Sequence, residues 1–341
     1  MRFVLKRYLL RRIAVMPILL FGIASIVFLV SRMTPGDPLV TIVGERNLNN
    51  PEIVAAAKAK WGLDQSVLQQ YFAYMKNLLH GNMGTAFTTR QPVVHDLWQR
   101  LPATLELTLY ALIGGVAIGV GLGVLAARHR NKFIDHIARF FALLGSSLPA
   151  FWAGLLLLYA FYARLSWLPG PGRIDPRGVA PDKVTGFYTL DSLLMGDFAS
   201  WKDSVLHLIL PASVLGWGVV GIVSRLVRAS LLDEFSMDYV RVARAMGLRE
   251  RTVVNTHALR NALLPTITIV AFTFAFLLTG AVLTETVFSW PGVGSYAVDA
   301  SRNLDYPAII GVTLLGGAAF LLTNLLSDIA YALADPRIRL S

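Results

Sequence analysis

Polar and apolar positions alternate along this chain in long blocks. Apolar runs at 13–30, 103–127, 137–163, 205–224, 262–284 and 308–334 carry few or no charges. At about 1.5 Å of rise per helical residue, each approaches or exceeds the ~30 Å hydrocarbon thickness of a bilayer. The pattern predicts an all-α integral membrane protein with six transmembrane helices. Arg2, Lys6, Arg7, Arg11 and Arg12 precede or flank the first run. That run is longer than a usual signal-peptide core and no small-x-small site follows Val30, so it reads as a retained helix with its basic flank in the cytoplasm. Between the first two runs, residues 39–101 are polar enough for water, with helical patterns at 51–60 and 65–79, which predicts a small external cap. Residues 164–204, with Pro169-Gly170-Pro171-Gly172 and Asp175, Asp182, Asp191 and Asp197, form a second external loop. Arg128, Arg130, Lys132, Arg225, Arg228, Arg249, Arg251 and Arg260 fall in the opposite loops, and this positive bias puts both termini in the cytoplasm.

Composition agrees: 55% of residues are apolar, 15% are charged, and mean hydropathy is +0.57. With no cysteine, the chain has neither a disulfide framework nor a thiolate metal site. The net charge of +10 is dispersed among the apolar runs and forms no basic stripe, so nucleic acid is not an expected partner. No Ser–His pair, paired aspartates or His-Glu-x-x-His lies within the runs, and no Gly-x-x-x-x-Gly-Lys-Ser/Thr phosphate loop occurs. The reading therefore has no catalytic residue, metal ligand or cofactor. Gly119-Val-Gly121-Leu follows no strand, and with Gly114, Gly115 and Gly123 it reads as a helix-packing face.

Several residues break or polarise the runs and are candidates for a pore or gate. Ser146, Ser147 and Pro149 lie near the middle of the third, Pro211 in the fourth, Pro265 in the fifth, and Asn324 and Asp328 one turn apart in the sixth. Asp328 lies near the inner end, where pairing with an arginine is favoured over a transport role. His207 is expected to be a satisfied interfacial residue. Trp61, Tyr71, Phe72, Tyr74 and Trp98 are read as anchors in preference to ligand-stacking residues.

The charged gap between the fourth and fifth runs contains a short amphipathic pattern. Tyr239, Val242, Ala243 and Met246 share one helical face, Asp238 opens the helix, and Arg241 and Arg244 lie towards its end. Gly247 supplies the stop. A helix so short needs a surface to lie on, and the pattern leaves open whether that surface is lipid or a protein partner.

Ala243-Arg244-Ala245-Met246-Gly247, followed by His257-Ala258-Leu259-Arg260-Asn261-Ala262-Leu263-Leu264-Pro265, resembles the cytoplasmic loop of ABC-transporter permeases, in the branch that imports dipeptides and oligopeptides. Three further strings resemble the same branch in the same order. They are Pro35-Gly36-Asp37-Pro38, the stretch Glu285-Thr286-Val287-Phe288-Ser289-Trp290-Pro291-Gly292, and the ending Asp335-Pro336-Arg337-Ile338-Arg339. Arg241 and Val242 stand where the general motif has Glu and Ala, so coupling here does not run through that glutamate. From residues alone, the Glu285–Gly292 string reads as a re-entrant interfacial loop with Phe288 and Trp290 in the membrane's aromatic belt.

The resemblance implies a type I ABC importer permease core with an extracytoplasmic insertion after the first helix. It divides the chain into an N-terminal helix and cap (1–100), a core (101–334) with its coupling loop at 230–261, and a cytoplasmic tail (335–341). It implies residence in a bacterial inner membrane among lipid. The implied partners are a second homologous permease subunit, two ATP-binding subunits and an extracytoplasmic substrate-binding protein. Short peptides are the expected cargo; nickel chelates, glutathione and oligosaccharides are the alternatives within that role. An ion-coupled secondary transporter is the rival class, and it lacks support for want of a carboxylate at the centre of any run.

Overall fold

The computed structural model describes residues 2–33 and 37–334. Pro35, Gly36 and the ending at 335–341 therefore lie outside the described residues. The regular structure of the rest is helical apart from one isolated bridge between Thr85 and Pro92. The principal helices are α1 (Arg2–Met33), α2 (Pro51–Trp61), α3 (Val67–Leu79), α4 (Val93–Arg128), α5 (Phe133–Ser147), α6 (Ala150–Leu157), α7 (Phe198–Phe235), α8 (Asp238–Ala245), α9 (Leu264–Gly280), α10 (Val293–Arg302) and α11 (Tyr306–Ala334).

Four helices are long and apolar enough to cross a membrane unbroken: Arg11–Met33, Val93–Arg128, Phe198–Phe235 and Tyr306–Ile329. The third and fifth runs are broken. Helix α5 meets Ala150–Arg164 at 107°, and Glu250–Ala262 meets Leu264–Leu278 at 53°, so the described residues supply up to six passes where each bent pair counts as one. The sharper bend has a local cause. Pro149 disfavours helical geometry at the residue before it, and Leu148 is extended at φ −80°, ψ 133°. Pro265 has no N–H to give to the preceding turn, which loosens the second junction.

The core is the pairing of α4 with α7. Gly115, Gly119 and Gly123 recur every fourth residue, and a Cβ added at each would lie 2.6, 2.9 and 2.8 Å from the Cβ of Val219, Val223 and Val227 respectively. This is close small-residue packing, as the sequence predicts. Gly114 and Gly121 face open space and take no part in it.

The cap forms as its local signals direct. Asn50 accepts hydrogen bonds from the N–H groups of Glu52 and Ile53 ahead of Pro51, and Gly62 at φ +63° ends α2. Ser66 and Gln69 form a reciprocal capping box that starts α3. Tyr71 and Tyr74 then pack beside Phe28 of α1, and Trp61 beside Phe87, while Phe72 and Trp98 remain exposed. Helix α4 begins at Val93, so it carries the chain from the cap into the membrane without a break.

Candidate functional site

Helix α8 and its surroundings form the first candidate. Its apolar residues span an arc of about 160° at 3.6 residues per turn, wider than one packing face. The structure divides that arc. Val240 and Ala243 turn inward and are buried against Leu231, Val253 and Ala258 of the same chain. Tyr239, Val242 and Met246 turn outward, with Val242 55% and Met246 67% exposed. Ala243 is thus an internal contact and not part of the outward face, a correction to the sequence expectation. Val240 is the inward anchor that the i, i+3, i+4, i+7 pattern left out, because Ala243 sits at the seam between the two halves of the arc.

The helix is held at both ends. The Tyr239 hydroxyl donates to Glu234 of α7 and accepts from the Asn261 side-chain amide at 3.1 Å. Burial, and then the Glu234 carboxylate, push the Tyr239 hydroxyl above its usual range. Arg244 grips Glu250 with two hydrogen bonds, 2.8 Å from Nη2 and 3.2 Å from Nε, which ties α8 to the segment after it. Arg244 is thereby committed within the chain. Arg241 and Ala245 stay exposed, Arg241 in only a long surface pair with Asp238 at 3.3 Å. Gly247 ends the helix at φ +75°, with its N–H bonded to the Arg244 carbonyl and the Leu248 N–H to the Ala243 carbonyl. These paired bonds are the Schellman arrangement that a left-handed residue permits.

The Glu285–Gly292 string is a knot with Glu285, Phe288, Trp290 and Gly292 buried and Thr286, Ser289 and Pro291 exposed. Trp290 is 1% exposed and its Nε1 donates to the Ala103 carbonyl at 2.8 Å; Phe288 is also buried. The expected place for both in an interfacial belt is therefore corrected: the indole hydrogen bond is met by protein, so the ring needs no water-facing edge. Glu285 is fully buried. Its carboxylate accepts from Thr104 Oγ1 at 2.6 Å and from the Ser295 N–H at 2.9 Å, while Thr104 Oγ1 accepts from the Val293 N–H at 2.8 Å. The Thr104 and Glu285 side chains thus satisfy first-turn donors of α10. Gly292 is required for this closeness, since a Cβ there would lie 2.3 Å from Glu285 Oε1 and 2.4 Å from Thr104 Oγ1. Pro291 sits within the knot's turn. Of the first external motif, Asp37 accepts from the Leu39 N–H at 2.9 Å, and Pro38 leads into a short helix, Leu39–Val43.

The pore candidates do not converge. Ser146, Ser147 and Pro149 lie exposed at the sharper bend, Pro265 at the shallower one, and Pro211 is buried inside α7. Asn324 is half-buried on α11, and Asp328 forms an ion pair with Arg12 of α1, the structural role the sequence favoured for it. His207 is buried, with Nδ1 2.9 Å from the Asp203 carbonyl.

Two buried ion pairs have no counterpart among the sequence expectations. Arg173, from the loop at 165–187, pairs with Glu106 of α4, donates to the Gly186 carbonyl at 3.0 Å and stacks 3.7 Å over the Tyr188 ring. Thr189 completes the Glu106 carboxylate through its N–H at 2.9 Å and its hydroxyl at 2.7 Å. Between α7 and α5, Arg228 donates from Nε and Nη2 to both oxygens of the fully buried Asp135, at 2.7 and 2.8 Å. A signal for the first was present, because Glu106 is the lone carboxylate within 103–127. Its partner lies 67 residues away in a loop, where no periodicity points to it.

Comparison with known proteins follows the same outline. Residues 119–340 match the family model of the binding-protein-dependent transport system inner membrane component, and residues 5–108 match the model of its N-terminal part. A probable D,D-dipeptide transport system permease protein, DdpB, of Escherichia coli (strain K12) is 43% identical over 317 residues, 93% of each chain. The di/tripeptide transport system permease protein DppB of Pseudomonas aeruginosa (strain UCBPP-PA14) is 42% identical over 332 residues, 97% of this chain and 98% of that one. A solved structure of the MetNI methionine ABC transporter in inward-facing conformations aligns with a TM-score of 0.51 at 16% identity, over 71% of this chain and 96% of that one. That likeness concerns the fold.

Proposed function

This chain belongs to the family of binding-protein-dependent transport system inner membrane components, and we propose that it is the permease subunit through which an ABC importer passes short peptides across a bacterial inner membrane. The cargo reading rests on the relatives named as dipeptide and di/tripeptide permeases. ATP hydrolysis belongs to separate subunits.

The single observation that carries the mechanism is the division of α8. A helix anchored by Val240 and Ala243, clasped by Tyr239 and Arg244, and ended at Gly247 presents Tyr239, Val242 and Met246 outward as an apolar strip. Such a strip fits a groove on an ATP-binding subunit. Motion of that subunit then reaches α7 through Leu231 and the following segment through Val253 and the Arg244–Glu250 pair. Arg241, Ala245 and the free edge of Gly247 complete the docking surface. In this reading the partners are a second homologous permease, two ATP-binding subunits, an extracytoplasmic binding protein that meets the cap side, and the surrounding lipid.

The same reading keeps 1–100 as the helix-plus-cap unit, 101–334 as the core with its coupling loop at 230–261, and 335–341 as a tail. Both termini are cytoplasmic. The bends at Pro149 and Pro265, with Ser146, Ser147 and Pro211, are the places where the spans can flex along the cargo path. The Asp37–Pro38 turn and the Glu285–Gly292 motif brace the external side. The test is uptake of a labelled dipeptide into proteoliposomes. ATP-dependent accumulation is expected only when the second permease, the ATP-binding subunits and the binding protein are present. Accumulation by this chain alone overturns the reading.

A further inference from the structure

A second candidate site lies beneath the cap, far in sequence from α8 and independent of its role. The outer end of α1, the helices α2 and α3, and the first turn of α11 enclose a cavity of about 200 Å³. Trp61 and Tyr306 supply aromatic walls, and Gln65 and Asn77 form an exposed rim. Three buried polar atoms without a hydrogen-bond partner among the described residues belong to side chains lining this one cavity: Arg32 Nε, Gln70 Oε1 and Tyr74 Oη.

Their chemistry is complementary to a particular kind of ligand. Arg32 faces no carboxylate among the described residues; its guanidinium lies 5.4 Å from the Phe28 ring centre and 5.2 Å from that of Tyr306. Ring faces offset part of the desolvation of a cation, but they leave its buried Nε–H without an acceptor among the described residues. Tyr74 adds a hydroxyl donor. Gln70 is oriented by its own amide, which donates to the Gln65 carbonyl at 2.7 Å and leaves Oε1 as an acceptor. A charged donor and a hydroxyl suit a carboxylate, and an acceptor beside them suits an adjacent N–H. A simple anion without a proton, such as sulfate, offers no donor to Gln70. For scale, a cavity of about 150 Å³ holds benzene, so this one has room for roughly one amino-acid residue.

We propose that this cavity binds an α-amino carboxylate, either a free amino acid or the C-terminal residue of a short peptide, with the carboxylate on Arg32 and Tyr74 and its N–H on Gln70. The site belongs to the cap and α1, so its occupancy does not depend on α8 or on which cargo crosses the core.

The experiment is calorimetric titration of the full chain in zwitterionic-lipid nanodiscs with alanine, alanyl-alanine and the C-terminal carboxamide of each. Binding of one or both free acids is expected, with the carboxamides weaker by about tenfold, and the stronger of the two acids identifies the source of the ligand. Arg32→Gln should weaken the acid by about tenfold and abolish the difference between acid and amide; Tyr74→Phe should weaken it about threefold. Thermal melting reports whether each variant folds. Should Arg32→Gln not fold, the acid-to-amide comparison on the unaltered chain and the Tyr74→Phe arm decide the question. Equal binding of acid and amide, undiminished binding by Arg32→Gln, or no binding up to tens of millimolar overturns the proposal. So does stabilisation by phosphatidylglycerol nanodiscs that depends on Arg32 without any amino-acid binding, because that result assigns the cavity to a lipid headgroup.

Discussion

The Glu285–Gly292 knot and helix α8 are both short motifs followed by glycine-dependent turns, yet they are built in opposite ways. The knot is finished within the chain. Glu285 has Thr104 and Ser295 as donors, Trp290 has Ala103 as acceptor, and the Gly172 N–H from the loop at 165–187 bonds to the Phe288 carbonyl at 2.8 Å. Burial also pushes the hydroxyl of nearby Tyr296 well above its usual range, reinforced by Asp96, whose carboxylate accepts from it at 3.0 Å. Helix α8 is finished on one side only, with two side chains inward and three outward. A region satisfied on every side resists movement. A region satisfied on one side is stable enough to persist and open enough to be completed by something else.

The contrast should break first at its glycines. Gly292→Ala forces a Cβ into Glu285 and Thr104, and a loss of roughly 3 kcal/mol is expected from overpacking this buried contact. Thermal melting of the purified chain in detergent would read it as a large drop. A melt within a degree or two of the unaltered protein would mean that the knot is not the rigid element described here.

Next in size is a matched pair on α8. Val240→Ser removes a fully buried apolar side chain from the core and places a hydroxyl there, for a loss of about 2 kcal/mol. Val242→Ser, two residues on and exposed, should change stability by less than about 0.5 kcal/mol. Transport should respond in a different order: Val242→Asp is expected to leave melting unchanged while abolishing ATP-dependent uptake and copurification of the ATP-binding subunits. Normal uptake by Val242→Asp would sink the outward-strip reading.

Gly247→Ala is milder than Gly292→Ala, because no atom lies within 4 Å of the added Cβ and only the positive φ is strained. A cost of about 1 kcal/mol is expected. Uptake should fall more than melting does, as the strain is relieved by re-aiming α8. The smallest effect belongs to Arg244→Gln. Its pair with Glu250 is substantially exposed, so stability should drop by no more than about 0.5 kcal/mol, and a double-mutant cycle with Glu250→Gln would measure the coupling.

What the sequence settled by itself is everything that rests on neighbours along the chain. Run lengths gave the membrane helices, Asn50-Pro51 and Ser66 with Gln69 gave the starts of the cap helices, and Gly247 gave the end of α8, because caps, turns and hydrophobic spans act over a few residues. The tertiary structure alone decided which way shared features face. The apolar arc of α8 was legible, but only the shelf formed by Leu231, Val253 and Ala258 selects Val240 and Ala243 as its inner side. Trp290 and Phe288 look interfacial until Ala103 and the loop at 165–187 are folded over them. Glu106 is a visible anomaly in an apolar run, while Arg173 becomes its partner only through a contact 67 residues distant. The depth of the bend at Pro149 was likewise undecided by the proline alone: a proline permits a kink of many sizes, and the packing on either side fixes this one at 107°.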